Sequence, residues 1–257
     1  MVKEIKVAQL AGYVSEHSAY HHGEASLCQA IINMAQNFVG SNNINLLQPI
    51  GQFGSRHMKG KESASPRYIY TCLSKMTRIL FKESDDAILD YLEEEGMKIE
   101  PKFYAPIIPM ILVNGSEGIG TGWSTRIPSY NPLQVAQNVK CFLNKEEMHF
   151  MLPWVKGYHG TIENRDGTAI ISGTCINRGK FTEIVEIPPS KSIRDYKTFL
   201  EKFIENGQIS DIREFHTENR VHFVLEGCKV DKSKLMLEAK VDTNNLVCFD
   251  SSGEIKK

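Results

Sequence analysis

The chain has 257 residues, 41% of them apolar, and a formal net charge of −1; that length admits one large or two medium domains, each able to bury a core. No run approaches the roughly 18 apolar residues of a membrane span, and the start, Met1-Val-Lys-Glu-Ile-Lys, lacks the apolar stretch of a secretory signal. The six cysteines (Cys28, Cys72, Cys141, Cys175, Cys228, Cys248) lie far apart, with no C-x-x-C pair and no histidine at zinc-ligand spacing. They read as reduced thiols of a soluble intracellular protein, not as a zinc site or a disulfide framework.

In chain order, Leu27, Ile31, Met34 and Phe38 recur at spacings of three or four, which predicts an amphipathic helix over residues 24–38, stopped by Gly40-Ser-Asn-Asn. Residues 48–61 are too rich in glycine and polar residues to hold a helix and predict a long loop or wing. A second helix is predicted over 69–81, with Leu73, Met76, Ile79 and Leu80 inward and Pro66 just ahead of it. Two helices and a basic wing suggest a helix-turn-helix, although many helical domains have these parts without touching DNA.

The charge is unevenly placed. Residues 56–82 carry Arg56, Lys59, Lys61, Arg67, Lys75, Arg78 and Lys82 against the single acid Glu62, a formal +6, enough to hold a phosphate backbone. The acids that follow, Asp85, Asp86, Asp90 and Glu93 to Glu95, fit a solvent-facing helix or loop with no ligand.

From about Pro101 the texture changes, and a domain boundary is expected near residue 104. The apolar run after Pro109 suits a buried strand. Alternating β-branched stretches follow at 160–187 and 220–230, with a helix near 194–206 and a last strand at 246–249. The fold class is therefore α+β: a helix-turn-helix or winged-helix domain over 1–104, then an antiparallel-sheet domain over 105–257.

Two motifs fail on inspection. Gly54 to Lys61 is glycine-framed like a phosphate-cradling loop, but five residues separate its glycines where four are needed, and Glu62 replaces the magnesium-binding hydroxyl. Gly118-Ile-Gly-Thr-Gly is glycine-dense, yet Trp123-Ser-Thr-Arg-Ile-Pro follows where a dinucleotide site would open a helix.

Five segments in order, Tyr20-His-His-Gly-Glu, Asn37-Phe-Val-Gly-Ser-Asn-Asn, Leu47-Gln-Pro-Ile-Gly-Gln-Phe-Gly, Ser63-Ala-Ser-Pro-Arg-Tyr and Asn114-Gly-Ser-Glu-Gly-Ile-Gly-Thr-Gly-Trp-Ser, resemble the breakage-reunion region of the eukaryotic-type (type IIA) DNA topoisomerase II family. The resemblance is dense from Val7 to Pro132; beyond it, order and β-rich texture match the family's tower domain. It implies that Tyr68 attacks a DNA phosphodiester to leave a 5′-phosphotyrosyl link, and that Arg67 stabilises the charged phosphate. Tyr20, His21, His22 and Ser26 are implied contacts to the DNA backbone, and Ile119 an apolar wedge that bends the duplex.

By residue type alone, Arg67 reads as a solvated loop arginine, the histidines as surface residues or caps, Ser26 as a helix-start residue and Ile119 as a packed turn residue. The resemblance further implies magnesium held by a Toprim region, ATP held by an ATPase region, a homodimer on double-stranded DNA, and a nuclear setting. No Toprim or ATPase motif is present, and no metal site is expected here. The chain reads as a piece of a longer polypeptide, expected to be inactive alone. A winged-helix binder without chemistry and a structural relative that keeps only the fold are the rival readings.

Overall fold

The computed structural model describes residues 3–18, 20–228, 230–250 and 252–257. The chain divides into two compact units, the first built from residues 1–37, 44–55 and 60–109, the second from 38–43, 56–59 and 110–257.

The first unit begins with strand β1 (Ile5–Lys6) and helix α1 (Val7–His17), an element not foreseen in the sequence. Helix α2 (Glu24–Ala35) follows and buries Leu27, Cys28, Ile31, Ile32 and Ala35. It ends three residues before the expected Phe38, because Gln36 leaves helical geometry and its amide donates to the Phe53 carbonyl at 2.8 Å. Met34, expected inward, is 40% exposed.

The helix expected over 69–81 is not formed. Tyr70–Thr71 is strand β2, paired antiparallel with β1, and Tyr70 also bridges Ile50 while Leu73 bridges Leu47. Only Thr77–Leu80 is helical (α3), so Met76 and Ile79 lie exposed. Ladder bonds to two other segments outweigh the local 3.6-residue period, and Ile69 is buried with α1 and α2. The acidic stretch also differs: after a short 3-10 turn (Glu83–Asp85), it forms the exposed hairpin β3 (Tyr91–Glu94) and β4 (Met97–Pro101). Glu95 and Gly96, with φ of 50° and 80°, supply the left-handed pair that a tight hairpin needs.

In the second unit the apolar run expected as a strand is helix α4 (Met110–Asn114), and only Val113 of it is buried. Periodicity cannot separate the two in so short a run. Hairpin β5 (Ser116–Gly120) and β6 (Trp123–Ile127) precedes helix α5 (Pro132–Asn144), whose first turn is capped by the Asn131 side chain. Strands β7 (Thr161–Arg165), β8 (Thr168–Ser172), β9 (Thr174–Asn177) and β10 (Phe181–Glu186) come next, then helix α6 (Ile193–Glu205). Strands β11 (Asp211–Glu214), β12 (Phe223–Glu226), β13 (Glu238–Val241), β14 (Cys248–Phe249) and β15 (Ile255–Lys256) complete it.

A four-stranded sheet runs β11-β12-β10-β9 and a three-stranded one β13-β8-β7; all named pairs are antiparallel. Ile193, Tyr196 and Leu200 of α6 pack with Ile184, Phe223 and Leu225 in the main core. The sheet-rich texture expected beyond residue 160 and the helix near 194–206 are present. Among the described residues no helix is long and apolar enough to cross a membrane.

Candidate nucleic-acid interface

Tyr68 stands on a turn fixed from both sides. Its own amide donates to the Ser65 carbonyl at 2.9 Å. The Pro66 and Ile69 carbonyls accept from Ala8 and Val7, at 3.1 and 3.0 Å, satisfying first-turn donors of α1 that no side chain caps. Ile69 is 1% exposed, whereas Tyr68 is 74% exposed. A buried residue and two helix-bound carbonyls thus hold the backbone, and the phenol projects into solvent. Arg67, also exposed, lines an open groove with Glu24, Ala25 and Cys28 of α2 and with Ser63 to Pro66.

Ser26 is exposed in the first turn of α2, whose start at Gly23 carries no side-chain cap. Tyr20 is half-buried against the first core, and its ring meets that of His22 edge-on with centroids 5.4 Å apart. His21 faces Glu94 of β3, with Nε2 3.2 Å from Oε1, and both side chains remain largely open to solvent. The first unit thus contains Tyr20, His21, His22, Ser26, Arg67 and Tyr68, while Ile119 belongs to the second.

The basic window is less uniform than its formal charge. Arg56 is 3% exposed and paired with Glu186, and Arg78 pairs with Asp86 at 3.0 Å. Lys59, Lys61, Arg67, Lys75 and Lys82 are exposed.

Ile119 is 92% exposed, so it is not a turn residue packed in a core. It lies opposite Ser124 near the tip of the β5–β6 hairpin, closed at Gly122 with φ of 79°. Residues 245–247 brace the hairpin from outside: the Arg126 amide donates to the Asn245 carbonyl at 2.8 Å, and the Val247 amide to the Thr125 hydroxyl at 3.2 Å.

The family model for the DNA gyrase/topoisomerase IV A subunit matches residues 1–257. The chain belongs to that family. DNA topoisomerase 2 of Pisum sativum is 50% identical over 276 aligned residues, covering 100% of this chain and 19% of that protein. DNA topoisomerase 2-alpha of Rattus norvegicus is 46% identical over 272, covering 99% and 18%. The solved DNA-binding, cleavage and re-ligation domain of Plasmodium falciparum topoisomerase II superposes with a TM-score of 0.93 at 44% identity, over 99% of this chain and 37% of that one. The chain spans about a fifth of the length of the curated relatives it matches. The resemblance carried by the five motifs is borne out, and these relatives put this gyrase/topoisomerase-family chain with the eukaryotic type II enzymes.

Residues that support this candidate interface were not singled out from the sequence. Gln36 is 8% exposed and donates to the Phe53 and Gly60 carbonyls, at 2.8 and 3.3 Å, closing the glycine-rich loop onto the end of α2. A Cβ on Gly60 would overlap the Gln36 amide, and one on Gly54 would lie 2.5 Å from Gly60 Cα. The pairing of Gly54 with Gly60 was the available signal, since glycines that fail as a phosphate loop still mark close backbone approach.

Proposed function

We propose that this chain is the DNA-breaking region of an ATP-dependent type II DNA topoisomerase, an isomerase that passes one duplex through a transient break in another, relaxing and decatenating DNA. The observation that carries the reading is the 74% exposure of Tyr68 on a turn pinned to α1, with Arg67 beside it. Tyr68 Oη attacks a backbone phosphorus, the bond from phosphorus to the 3′ oxygen breaks, and that oxygen leaves with a proton as the phenol loses its own. The product is a 5′-phosphotyrosyl link and a free 3′-hydroxyl. The phenolate is a competent leaving group, so reversal reseals the strand.

A free phenol has a pKa of about 10, so its loss of a proton needs help at neutral pH, and the Arg67 guanidinium offers two parallel donors to the phosphate oxygens as charge builds there. Tyr20, His22 and Ser26 contact the DNA backbone; His21 joins them by leaving Glu94. Exposed lysines of the basic window add sequence-independent attraction. Ile119 wedges between base pairs, and the unstacking cost of a few kcal/mol per step is offset by protein contact on the bent duplex. We take residues 1–104 as the winged-helix cleavage domain and 105–257 as the tower.

Among the described residues no group of three or more His, Cys, Asp or Glu is placed to hold a metal ion. We assign magnesium to a Toprim region and ATP to an ATPase region of the longer polypeptide, which works as a homodimer in the nucleus, each copy breaking one strand. The chain alone is expected not to cleave.

The test joins this chain to its Toprim-bearing segment, adds magnesium and end-labelled duplex, and traps with detergent. A labelled protein–DNA adduct that disappears in Tyr68→Phe supports the reading. Protein that folds and binds DNA yet never forms the adduct leaves a winged-helix binder without chemistry.

A further inference from the structure

The glycine-rich loop ahead of the Arg67–Tyr68 turn is closed at its neck and anchored at its tip. At the neck, the Ser55 amide donates to Glu62 Oε1 at 2.9 Å and the Ser55 hydroxyl bonds the same carboxylate. The Gly60 amide reaches the Ser55 carbonyl and the Ala64 amide the Gln52 carbonyl, both at 2.9 Å. The tip, residues 56–59, belongs to the second unit, although the residues on either side belong to the first.

Arg56 makes that anchorage. Its Nη2 lies 2.6 Å from Glu186 Oε1 at the end of β10 and donates to the Ile187 carbonyl, also at 2.6 Å. Both side chains are at least nine-tenths buried. The Glu186 carboxylate further accepts from the amides of His159 and Ile187, at 3.1 and 2.9 Å. The next residue on the tip, His57, accepts through its carbonyl from the Arg194 amide at 3.1 Å, so the tip also meets the start of α6.

A buried ion pair is a weak source of stability, because desolvating both charges offsets their attraction; its attested use is to fix register. The balance is poorer still at this pair, since Arg56 Nε and Nη1 are buried and hydrogen-bond nothing among the described residues. The guanidinium is therefore placed at a cost in satisfied donors, at a site where an apolar side chain would hold the tip as well. What an apolar contact cannot supply is a fixed direction and length to one carboxylate.

We infer that the Arg56–Glu186 pair is a positioning clamp for the cleavage loop: it fixes the tip of the loop on β10 and, through the neck of the loop, steadies the Arg67–Tyr68 turn. The route from clamp to turn is short, running through the Ser55–Glu62 neck and the Gln52–Ala64 bond to Pro66, two residues before Tyr68. The catalytic part of this inference rests on Tyr68 being the nucleophile; the mechanical part does not.

The test therefore has two readouts. In the 257-residue chain, Arg56→Met/Glu186→Gln removes both charges, leaves none unpaired and keeps an acceptor for one of the two amides. Hydrogen exchange at Ser55, Gly60, Ala64 and Tyr68 is expected to quicken about tenfold or more while α2 and β8 amides hold their rates. Unchanged exchange at those four amides overturns the clamp whatever the chemistry. If the double variant does not fold, Arg56→Lys, which keeps the charge but loses the guanidinium geometry that sets Nη2 between Glu186 and Ile187, carries the same comparison.

Joined to the Toprim-bearing segment, the double variant is expected to bind duplex within about twofold of the unmutated protein yet form adduct about ten- to a hundredfold more slowly, the scale of a small misplacement of reacting groups. Arg56→Lys should fall between. Adduct formed at the unmutated rate, while Tyr68→Phe gives none, refutes the positioning role and leaves the nucleophile standing. No adduct from the unmutated protein instead removes the nucleophile, and the exchange readout alone decides the clamp.

Discussion

Tyr68 and Ile119 are both thrust into solvent, at 74% and 92% exposure, but they are held in different ways. The backbone around Tyr68 is fixed by segments distant in sequence: α1 amides bind its loop, β1 and Ile50 bind the strand after it, and Ile69 is sunk in the core. Ile119 rides on a two-stranded hairpin whose register is local, steadied by the 245–247 segment. The difference matches the role proposed for each residue. An attacking atom has to be placed within a fraction of an ångström, and a wedge has only to reach the duplex and be apolar.

If that comparison is right, damage near Tyr68 should abolish chemistry, and damage near Ile119 should weaken it. The largest effect is expected from Tyr68→Phe, which should lose the covalent adduct completely while folding and duplex affinity stay unchanged; adduct surviving in this variant would place the nucleophile elsewhere. Arg67→Ala should slow adduct formation by about a hundredfold, the usual cost of removing one donor to a developing anion, measured in single-turnover cleavage. A loss under about threefold would reduce Arg67 to a binding residue.

Gly60→Ala attacks the frame itself. The position has φ of +76°, and its Cβ would collide with the Gln36 amide that closes the loop. Strain and a displaced buried amide together should cost about 2–4 kcal/mol of stability, read from denaturant unfolding. A midpoint within error of the unmutated chain would mean the loop is looser than its hydrogen bonds imply.

Ile119→Ala should leave stability within about 0.5 kcal/mol, since the side chain buries almost nothing. Its effect should appear as reduced bending of a doubly labelled duplex and a several-fold fall in adduct. Bending equal to that of the unmutated protein would remove the wedge role.

The same contrast explains what the sequence disclosed. Local patterns were legible: α2, α6 and the alternating strands after residue 160 follow from periodicity. Tyr68 and Ile119 stood out because they sit in long motifs. What failed were segments governed by partners far along the chain. Residues 69–81 carry a helical period, yet Ile50, Leu47 and β1 claim the backbone of their first half. The run after Pro109 is apolar enough for a strand, but it folds as α4, whose Val113 and Leu112 carbonyls bind Asn43 and Tyr130. Arg56 was counted with the DNA-facing charge because its partner lies 130 positions away. Spacing along the chain gives no sign of such a pairing.

The smallest predicted effect concerns pH and belongs to the second unit. His216 Nδ1 accepts from the His222 amide at 2.9 Å, which requires that nitrogen to be bare, and Nε2 faces Glu214 at 3.2 Å. Burial lowers the His216 pKa below its ordinary value of 6.5; Glu214 pulls the other way, while His57 and His222 add to the lowering. Burial alone would raise Glu214, but hydrogen bonds and charge from Lys197 and His216 outweigh it and hold the carboxyl below the usual range, so it titrates in a more acidic window. With the folded pKa of His216 below the unfolded one, the unfolded chain binds more protons between the two, and stability rises with pH across that interval. The second unit should therefore lose stability as pH falls from about 7 toward 5, and His216→Gln should flatten that slope even if it lowers stability throughout. A variant whose unfolding midpoint keeps the full slope would show that the acid sensitivity comes from other groups, and that the His216–His222 bond is not the contact the proton breaks.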